Sequence, residues 1–281
     1  MLNRVMEMTT IATRGARWRM AYRVLSRGFF PLRRLCGRPH HDSILVVMCL
    51  WNRPERIESI VRLITEQDSS APVRLVLWNN DWRQGRAYVR RIRASWPADS
   101  RHSVEFFNSP MNMGGVARFF VARKLRRPVQ SQPFIMLDDD QDVQPTFVSD
   151  IMAQWVPRSI WGFWAWRIHG SYFNRTPPES GALADYVGTG ACICDASIID
   201  DRRFFAGLPT EYAFIEDLWM SRYAAELGWD LRKADVEVDF VLDETNQNHH
   251  LSSLKDEFYQ LLQAQAAART SPSASEQSPQ A

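Results

Sequence analysis

The 281-residue chain reads as an α/β protein, a mostly parallel sheet flanked by helices with a less regular second half, and three observations predict this. Apolar runs at Ile44–Leu50 and Phe134–Leu137, as strands buried on both faces require, stand with a second strand at Val73–Leu77 that is apolar except for Arg74. Between the first two, the spacing changes to that of a helix, with Ile57, Ile60, Val61 and Ile64 at i, i+3, i+4 and i+7. Each run also ends in a polar motif, and ligands of open α/β sheets bind outside the carboxyl ends of the strands.

The elements follow in order. The first strand ends in Trp51-Asn52-Arg53, and Pro54 stands in the first turn of the next helix, where its missing N–H costs nothing. The second ends in Trp78-Asn79-Asn80-Asp81 and leads into a helix over 84–95. A third strand is expected at Ser103–Phe107, and Asn112-Met113-Gly114-Gly115 opens a helix over about 115–126. The fourth strand runs from Phe134 into Asp138-Asp139-Asp140. Strands alternating with helices through short connections specify a parallel sheet. The second half is expected to hold a helix over 146–156, a strand over Ile160–Trp166, a polar stretch over 167–184 and a strand over Tyr186–Cys194 carrying Gly188-Thr189-Gly190. A helix over about 216–227 stops at Gly228. Ser253 and Asp256 have the spacing of a capping box at the start of a last helix. The Ser, Pro, Gln and Ala tail reads as disordered.

The net charge of +2 is uneven. Residues 1–40 hold nine arginines against one acid, Glu7, a balance of +8 that leaves −6 for the rest. Three segments are therefore expected: a basic arm at 1–42, a catalytic-sized domain at 43–268 and a tail at 269–281. Within the arm, residues 16–30 suit a helix with Trp18, Tyr22, Leu25 and Phe29 on one side and Arg19, Arg23 and Arg27 on the other. That is the pattern of a helix lying in a membrane interface. Packing of its apolar face on the protein body, with the arginines in water, accounts for it equally well. A nucleic-acid arm is disfavoured because the basic residues are confined to one segment. Arginines interrupt every N-terminal apolar stretch, so no signal peptide is expected, and no run is long enough to span a bilayer. Cys36, Cys49, Cys192 and Cys194 form no paired spacing and read as small core residues of a reducing compartment.

Three adjacent carboxylates at a strand end repel one another and resist burial unless a cation neutralises them. Carboxylate oxygens suit Mg²⁺ or Mn²⁺, and Mg²⁺ is usually held by one or two carboxylates plus substrate phosphates. A calcium loop is excluded, since Val143 and Ser149 stand where it needs glycine and glutamate. An aspartyl-phosphate enzyme would carry its acids after the first strand, not the fourth. A metal–diphosphate site fits better, the cation offsetting charge on a departing diphosphate. Asp217, at a helix start beside Glu216, sits where the helix dipole favours a carboxylate, which suits a general base or an anion beside an oxocarbenium-like centre.

The succession Trp51-Asn52-Arg53, Leu77-Trp78-Asn79-Asn80, Asn112 with Arg118, Leu137-Asp138-Asp139-Asp140, Trp161-Gly162-Phe163, Arg167-x-His169, Gly190-Ala191 and Glu216-Asp217 resembles the C-terminal catalytic domain of exostosin-like glycosyltransferases. More loosely, it is similar to family-2 type glycosyltransferases. The resemblance spans about residues 43–235 and implies the GT-A fold, with its Rossmann-like nucleotide-binding half. It implies that Asn52, Arg53, Asn79 and Asn112 contact the base and ribose of a nucleotide sugar and that Arg118 lies near the diphosphate. Asp140 would ligate Mn²⁺ or Mg²⁺ with help from Asp138, Asp139 would hold the ribose or donor sugar, and Asp217 with Glu216 would face the reacting centre. His249 is a further metal-ligand candidate, with His250 as its alternative. Asn52 also suits a helix cap, Glu216 and Asp217 also suit any helix N-terminus, and Arg167 and His169 also suit a surface.

The expected activity is metal-dependent transfer of a sugar, of hexosyl or N-acetylhexosaminyl type, from a nucleoside diphosphate sugar. UDP is the favoured nucleotide, and the acceptor is a hydroxyl on a saccharide or lipid-linked saccharide. The expected location is the cytoplasm, with peripheral attachment to the inner face of the membrane through residues 16–30 and no nucleic-acid partner. The alternative is a non-catalytic sugar- or lipid-binding protein on a degenerate transferase scaffold, which would not need Asp217.

Overall fold

The computed structural model describes residues 15–127, 131–241 and 251–270. The tail from 271 onward, and His249 and His250, lie outside the described residues. Helix α1 (Ala16–Leu25) and strand β1 (Arg33–Cys36) come first. Then follow β2 (Ile44–Leu50), α2 (Ile57–Thr65), β3 (Val73–Asn79), α3 (Gly85–Ser95), β4 (Ser103–Asn108), α4 (Ala117–Leu125) and β5 (Pro133–Asp138). The second half holds β6 (Gln141–Val143), α5 (Phe147–Gln154), β7 (Ser159–Gly162), β8 (Ala165–Ile168), β9 (Arg175–Thr176), β10 (Tyr186–Val187) and β11 (Cys192–Asp195). It closes with α6 (Arg203–Ala206), α7 (Glu216–Glu226), β12 (Asp230–Lys233), β13 (Val238–Phe240) and α8 (Ser252–Thr270).

Eight strands form one sheet in the order β1-β4-β3-β2-β5-β11-β7-β12. The run β4-β3-β2-β5 is parallel throughout, β11 is antiparallel to both its neighbours, and β12 lies parallel to β7. The mostly parallel α/β sheet expected from the apolar runs is therefore present. Its register aligns the strand ends: Leu50 pairs with Asn79, Asn79 with Asn108, and Cys49 with Asp138. The polar motifs consequently share one edge.

Period-two alternation splits β2 between two cores. Val46, Met48 and Leu50 pack with Ile57, Ile60, Val61 and Ile64 of α2, while Leu45, Val47 and Cys49 pack with Phe119 and Phe120 of α4. Six consecutive residues of α4, Ala117 to Ala122, are buried, as in a helix enclosed on every side. Arg118 is carried into the interior by that helix.

Several elements depart from expectation. The stretch 160–166 splits at Gly162: β7 stays in the main sheet, and β8 joins β10 and β9 in a small three-stranded one. The stretch 186–194 splits likewise, because Gly188 turns out to bond Trp164 O and only β11 continues beside β5. Helix α1 stops at Leu25, ahead of Gly28 with φ +80°, rather than reaching residue 30. Asp256 lies inside α8, which begins at Ser252, and its carboxylate accepts from Tyr172 N–H at 2.8 Å instead of closing a capping box. The short strands β1, β6, β9, β12 and β13 carry too few residues for periodicity to reveal them.

The arm is docked on the body. Trp18 Nε1 donates to Asn112 O at 3.0 Å and the Tyr22 hydroxyl to Phe205 O at 3.0 Å, while Leu25 and Phe30 are each 6% exposed. Strand β1 extends the main sheet through antiparallel pairing with β4. At the other end, Phe258 of α8 stacks on Tyr212 with centroids 4.2 Å apart.

Candidate active site

The aligned strand ends open into a cavity of about 380 Å³. The connection after β2, the end of β5, the N-terminal turn of α4, the Gly188–Gly190 turn, the start of α7 and residues of α8 wall it.

Two arginines organise its carboxylates. Arg53 Nη1 bonds Asp139 Oδ1 at 2.5 Å, and Arg53 Nη2 lies 3.3 Å from Asp140 Oδ2. Trp51 N–H donates to the other Asp139 oxygen at 2.8 Å, so Asp139 ties the end of β5 to the end of β2. Arg118 Nη2 pairs with Asp138, while its Nη1 reaches Glu216 Oε1 at 3.1 Å and Thr189 Oγ1 at 2.9 Å. Each guanidinium thus spans two acids, which its planar fork allows and an ammonium does not.

Glycine leaves room for the acids at two walls. A Cβ on Gly190 would collide with Asp138 Oδ2, and one on Gly115 with Glu216 Oε1. Both acids lie flat against backbone that only glycine leaves open.

At the far end, the Tyr186 hydroxyl donates to Asp217 Oδ2. Lys255 of α8 lines the same end, its Nζ 5.6 Å from the Tyr172 ring, and the charge on Asp217 holds its ammonium proton more firmly.

Burial dominates the electrostatics. It pushes the Asp140 carboxyl up to about 7, with Asp138 adding to the rise and Arg53 opposing it. Burial also raises Glu216 to about 7 against the pull of Arg118, and Asp139 to about 6 against Arg53.

Of the residues expected at a site, Arg53, Asn112, Arg118, Asp138, Asp139, Asp140, Glu216 and Asp217 line the cavity together. Asn52 and Asn79 are outside its lining. Asn52 is exposed at φ +56°, a left-handed conformation that asparagine tolerates. Asn79 is fully buried and spends its amide on Asp81 O and Asn108 Oδ1. Its neighbour Asn80 lines the cavity instead, bonding Trp78 Nε1, Met113 N–H and Gly114 O. His249 lies outside the described residues. Arg167 and His169 sit on the small β8–β9 sheet, where His169 bonds Thr176. Sequence reasoning missed Thr189, Tyr186 and Lys255. Thr189 stood between two glycines at a strand break, which was a usable signal. Lys255 had none, because its approach depends on where α8 docks.

The donor set suits a hard divalent cation in kind. Five carboxylates, Asp138, Asp139, Asp140, Glu216 and Asp217, face three cations, Arg53, Arg118 and Lys255, so full ionisation leaves an excess of negative charge. Asp138 and Asp140 are the fitting oxygen donors, since Asp139 has both oxygens bonded, by Trp51 N–H and Arg53, while Asp138 is paired through Oδ1 with Arg118 and Asp140 through Oδ2 with Arg53. Among the described residues, no three His, Cys, Asp or Glu side chains are grouped so that they could hold a metal.

The arrangement is thus a mostly parallel α/β sheet with an acid-lined cleft at its carboxyl edge. Among solved structures, the chain is similar to the mannosyltransferase PcManGT from Pyrobaculum calidifontis, solved in complex with GDP-Man and Mn²⁺. The TM-score is 0.57 at 14% identity, covering 96% of this chain and 76% of that one. The apo WbbM bifunctional glycosyltransferase is also similar, with a TM-score of 0.43 at 16% identity, covering 67% of this chain and 38% of that one. The fold is a glycosyltransferase fold. No protein-family model matches the chain, and no curated protein matches it.

Proposed function

We propose that this protein is a metal-dependent glycosyltransferase that moves a sugar from a nucleoside diphosphate sugar to a hydroxyl of a saccharide or lipid-linked saccharide. The observation that carries the reading is the meeting of Asp138, Asp139 and Asp140 with Arg53, Arg118, Glu216 and Asp217 around one cavity. That cavity lies at the carboxyl edge of a parallel sheet, where α/β folds bind ligands. The motif order that resembles exostosin-like domains favours a UDP-sugar and a hexosyl or N-acetylhexosaminyl group. The GDP-Man in the similar mannosyltransferase makes a guanosine diphosphate donor the first comparison to run.

In this reading Asp138 and Asp140 would hold Mn²⁺ or Mg²⁺, which would offset charge on the departing diphosphate when bound. Arg118 orients Asp138 and Glu216 and keeps positive charge beside the phosphates. Asp139 fixes the strand end on which the other two acids depend. Asp217, steadied by Tyr186, faces the reacting centre and takes the proton of the acceptor hydroxyl. The enzyme would work in the cytoplasm, and no helix among the described residues is long and apolar enough to cross a membrane.

The test is a donor screen. The purified chain is incubated with UDP- and GDP-sugars, with and without Mn²⁺ or Mg²⁺, and free nucleoside diphosphate is measured. Metal-dependent release that is lost in Asp140→Asn and Asp217→Asn is expected. Tight nucleotide binding with no release for any donor would favour a non-catalytic binding protein on the same scaffold.

A further inference from the structure

The outward side of helix α1 differs from the side its sequence suggested for a membrane. Trp18, Tyr22 and Leu25 are turned inward, against Asn112, Phe205 and Phe120. At about 100° per residue, Met20 and Val24 point the opposite way. They are 62% and 40% exposed, and Phe29, just past the helix, is 69% exposed. Arg17, Arg19, Arg23 and Arg27 are exposed around them. Among the described residues nothing covers these large apolar side chains set among arginines, so they take no part in the core.

A groove beside this helix continues the positive charge. Arg19, Arg23 and Arg27 form one wall, and Arg123 and Arg202 stand on the other. No acidic residue lines it among the described residues. Sequence-specific or protein partners would call for shaped pockets or mixed charge. A face of exposed arginines with three protruding apolar side chains matches a different surface, one that is negative, laterally fluid and apolar underneath.

We propose that this face docks the protein on an anionic lipid bilayer. Met20, Val24 and Phe29 enter the interface, while the arginines lie along the headgroups, their stems on the apolar side and their guanidinium groups on phosphate. The docked face is coupled to the cleft. Trp18, on the inner side of the same helix, bonds the backbone of Asn112, whose residue lines the cavity. A helix lying on a bilayer therefore holds the rim of the cleft beside the membrane surface, where a lipid-carried saccharide would be met. This last consequence rests on the proposed transferase reading, whereas the docking itself does not.

The experiment is vesicle co-sedimentation of the full chain, using phosphatidylcholine vesicles with and without phosphatidylglycerol, at low and high salt. Retention on the anionic vesicles alone, weakened by salt, is expected. Arg19→Glu with Arg23→Glu and Arg27→Glu should weaken it by about five-fold or more per arginine. Met20→Ser with Phe29→Ser should weaken it while leaving the salt dependence intact. None of these residues touches the cavity, so nucleotide release should match the parent, and circular dichroism confirms folding. Equal binding to neutral vesicles, no binding to anionic ones, or retention on duplex DNA in preference to lipid would overturn the proposal. Loss of vesicle binding with donor turnover intact, or the reverse, separates this inference from the transferase reading.

Discussion

The Tyr186 hydroxyl donates a hydrogen bond to Oδ2 of Asp217, joining the small β8–β10 sheet to the N-terminal turn of α7. Tyr186 is 4% exposed, and burial, followed by the Asp217 charge, pushes its phenol well above the usual range. The phenol is therefore a fixed donor that orients the carboxylate.

Tyr186→Phe keeps the ring and removes only that donor. Asp217 would then keep the Leu218 N–H bond to Oδ1, at 2.8 Å, but lose the hold on Oδ2 that aims it at the acceptor hydroxyl. Turnover should fall about ten- to hundred-fold, the scale on which misplaced catalytic groups lose rate. The KM for the donor should hardly change, because Asp217 does not bind the nucleotide in this scheme. Steady-state kinetics decide it: a raised donor KM with unchanged kcat would remove Asp217 from the reacting centre.

The buried acids predict a pH dependence with a definite sign. Asp140 rises from an ordinary 3.8 to about 7, and Glu216 from 4.5 to about 7, chiefly through burial. Between those values the folded protein keeps protons that the unfolded chain releases. These groups therefore favour the fold at low pH, and that contribution is lost as pH rises through about 7. Ligand-free Asp140→Asn cannot lose it in this way. Its Tm should exceed the parent's by a few degrees at about pH 8, by less at about pH 5, and converge with it only below about pH 4. A constant Tm difference across this range would contradict the assignment. Mn²⁺ should raise the parent's Tm at the higher pH and leave that of Asp140→Asn unmoved.

The parallel half of the sheet was legible because β2 and β5 contain continuous apolar runs and the helix after β2 keeps an unbroken 3.6 period. Register then did what no local pattern states: it placed Cys49 beside Asp138 and Leu50 beside Asn79, so that motifs far apart in sequence share an edge. The acids and arginines were legible as chemistry, but their pairing was not. Nothing in the sequence says that Arg118 faces inward; that follows from α4 being enclosed. Asn79 and Asn80 are adjacent and chemically identical, and only the alternation of strand faces separates the one that braces a turn from the one that lines the cavity. The second half was harder to read because its strands are short and break at glycines, as at Gly162 and Gly188, where the chain changes sheets.

Gly190 tests the close packing of the acid cluster. An added Cβ would meet Asp138 Oδ2 and lie 2.6 Å from Gln141 Nε2. Gly190→Ala must therefore displace Asp138 or strain the turn, at a cost of about 1–3 kcal/mol. A Tm lowered by about 3–10 °C is expected, together with weaker metal-dependent nucleotide binding measured by calorimetry. Parent-like stability and affinity together would mean that Asp138 is not held where the cavity needs it.

Arg118 separates charge from geometry. It is 5% exposed and serves Asp138, Glu216 and Thr189 at once. Arg118→Met leaves two carboxylates facing each other without their cation, which costs about 3–5 kcal/mol for a buried pair broken on one side. Arg118→Lys restores the charge as a single point that cannot span both acids. Lysine should recover part of the stability in urea denaturation but little of the nucleotide release, since Asp138 and Glu216 would no longer be held in one plane. Full recovery of release by lysine would show that charge alone suffices and that the forked geometry is incidental. An Arg118→Met midpoint equal to the parent's would show that Glu216 is already protonated in the resting protein, as its raised affinity for protons allows.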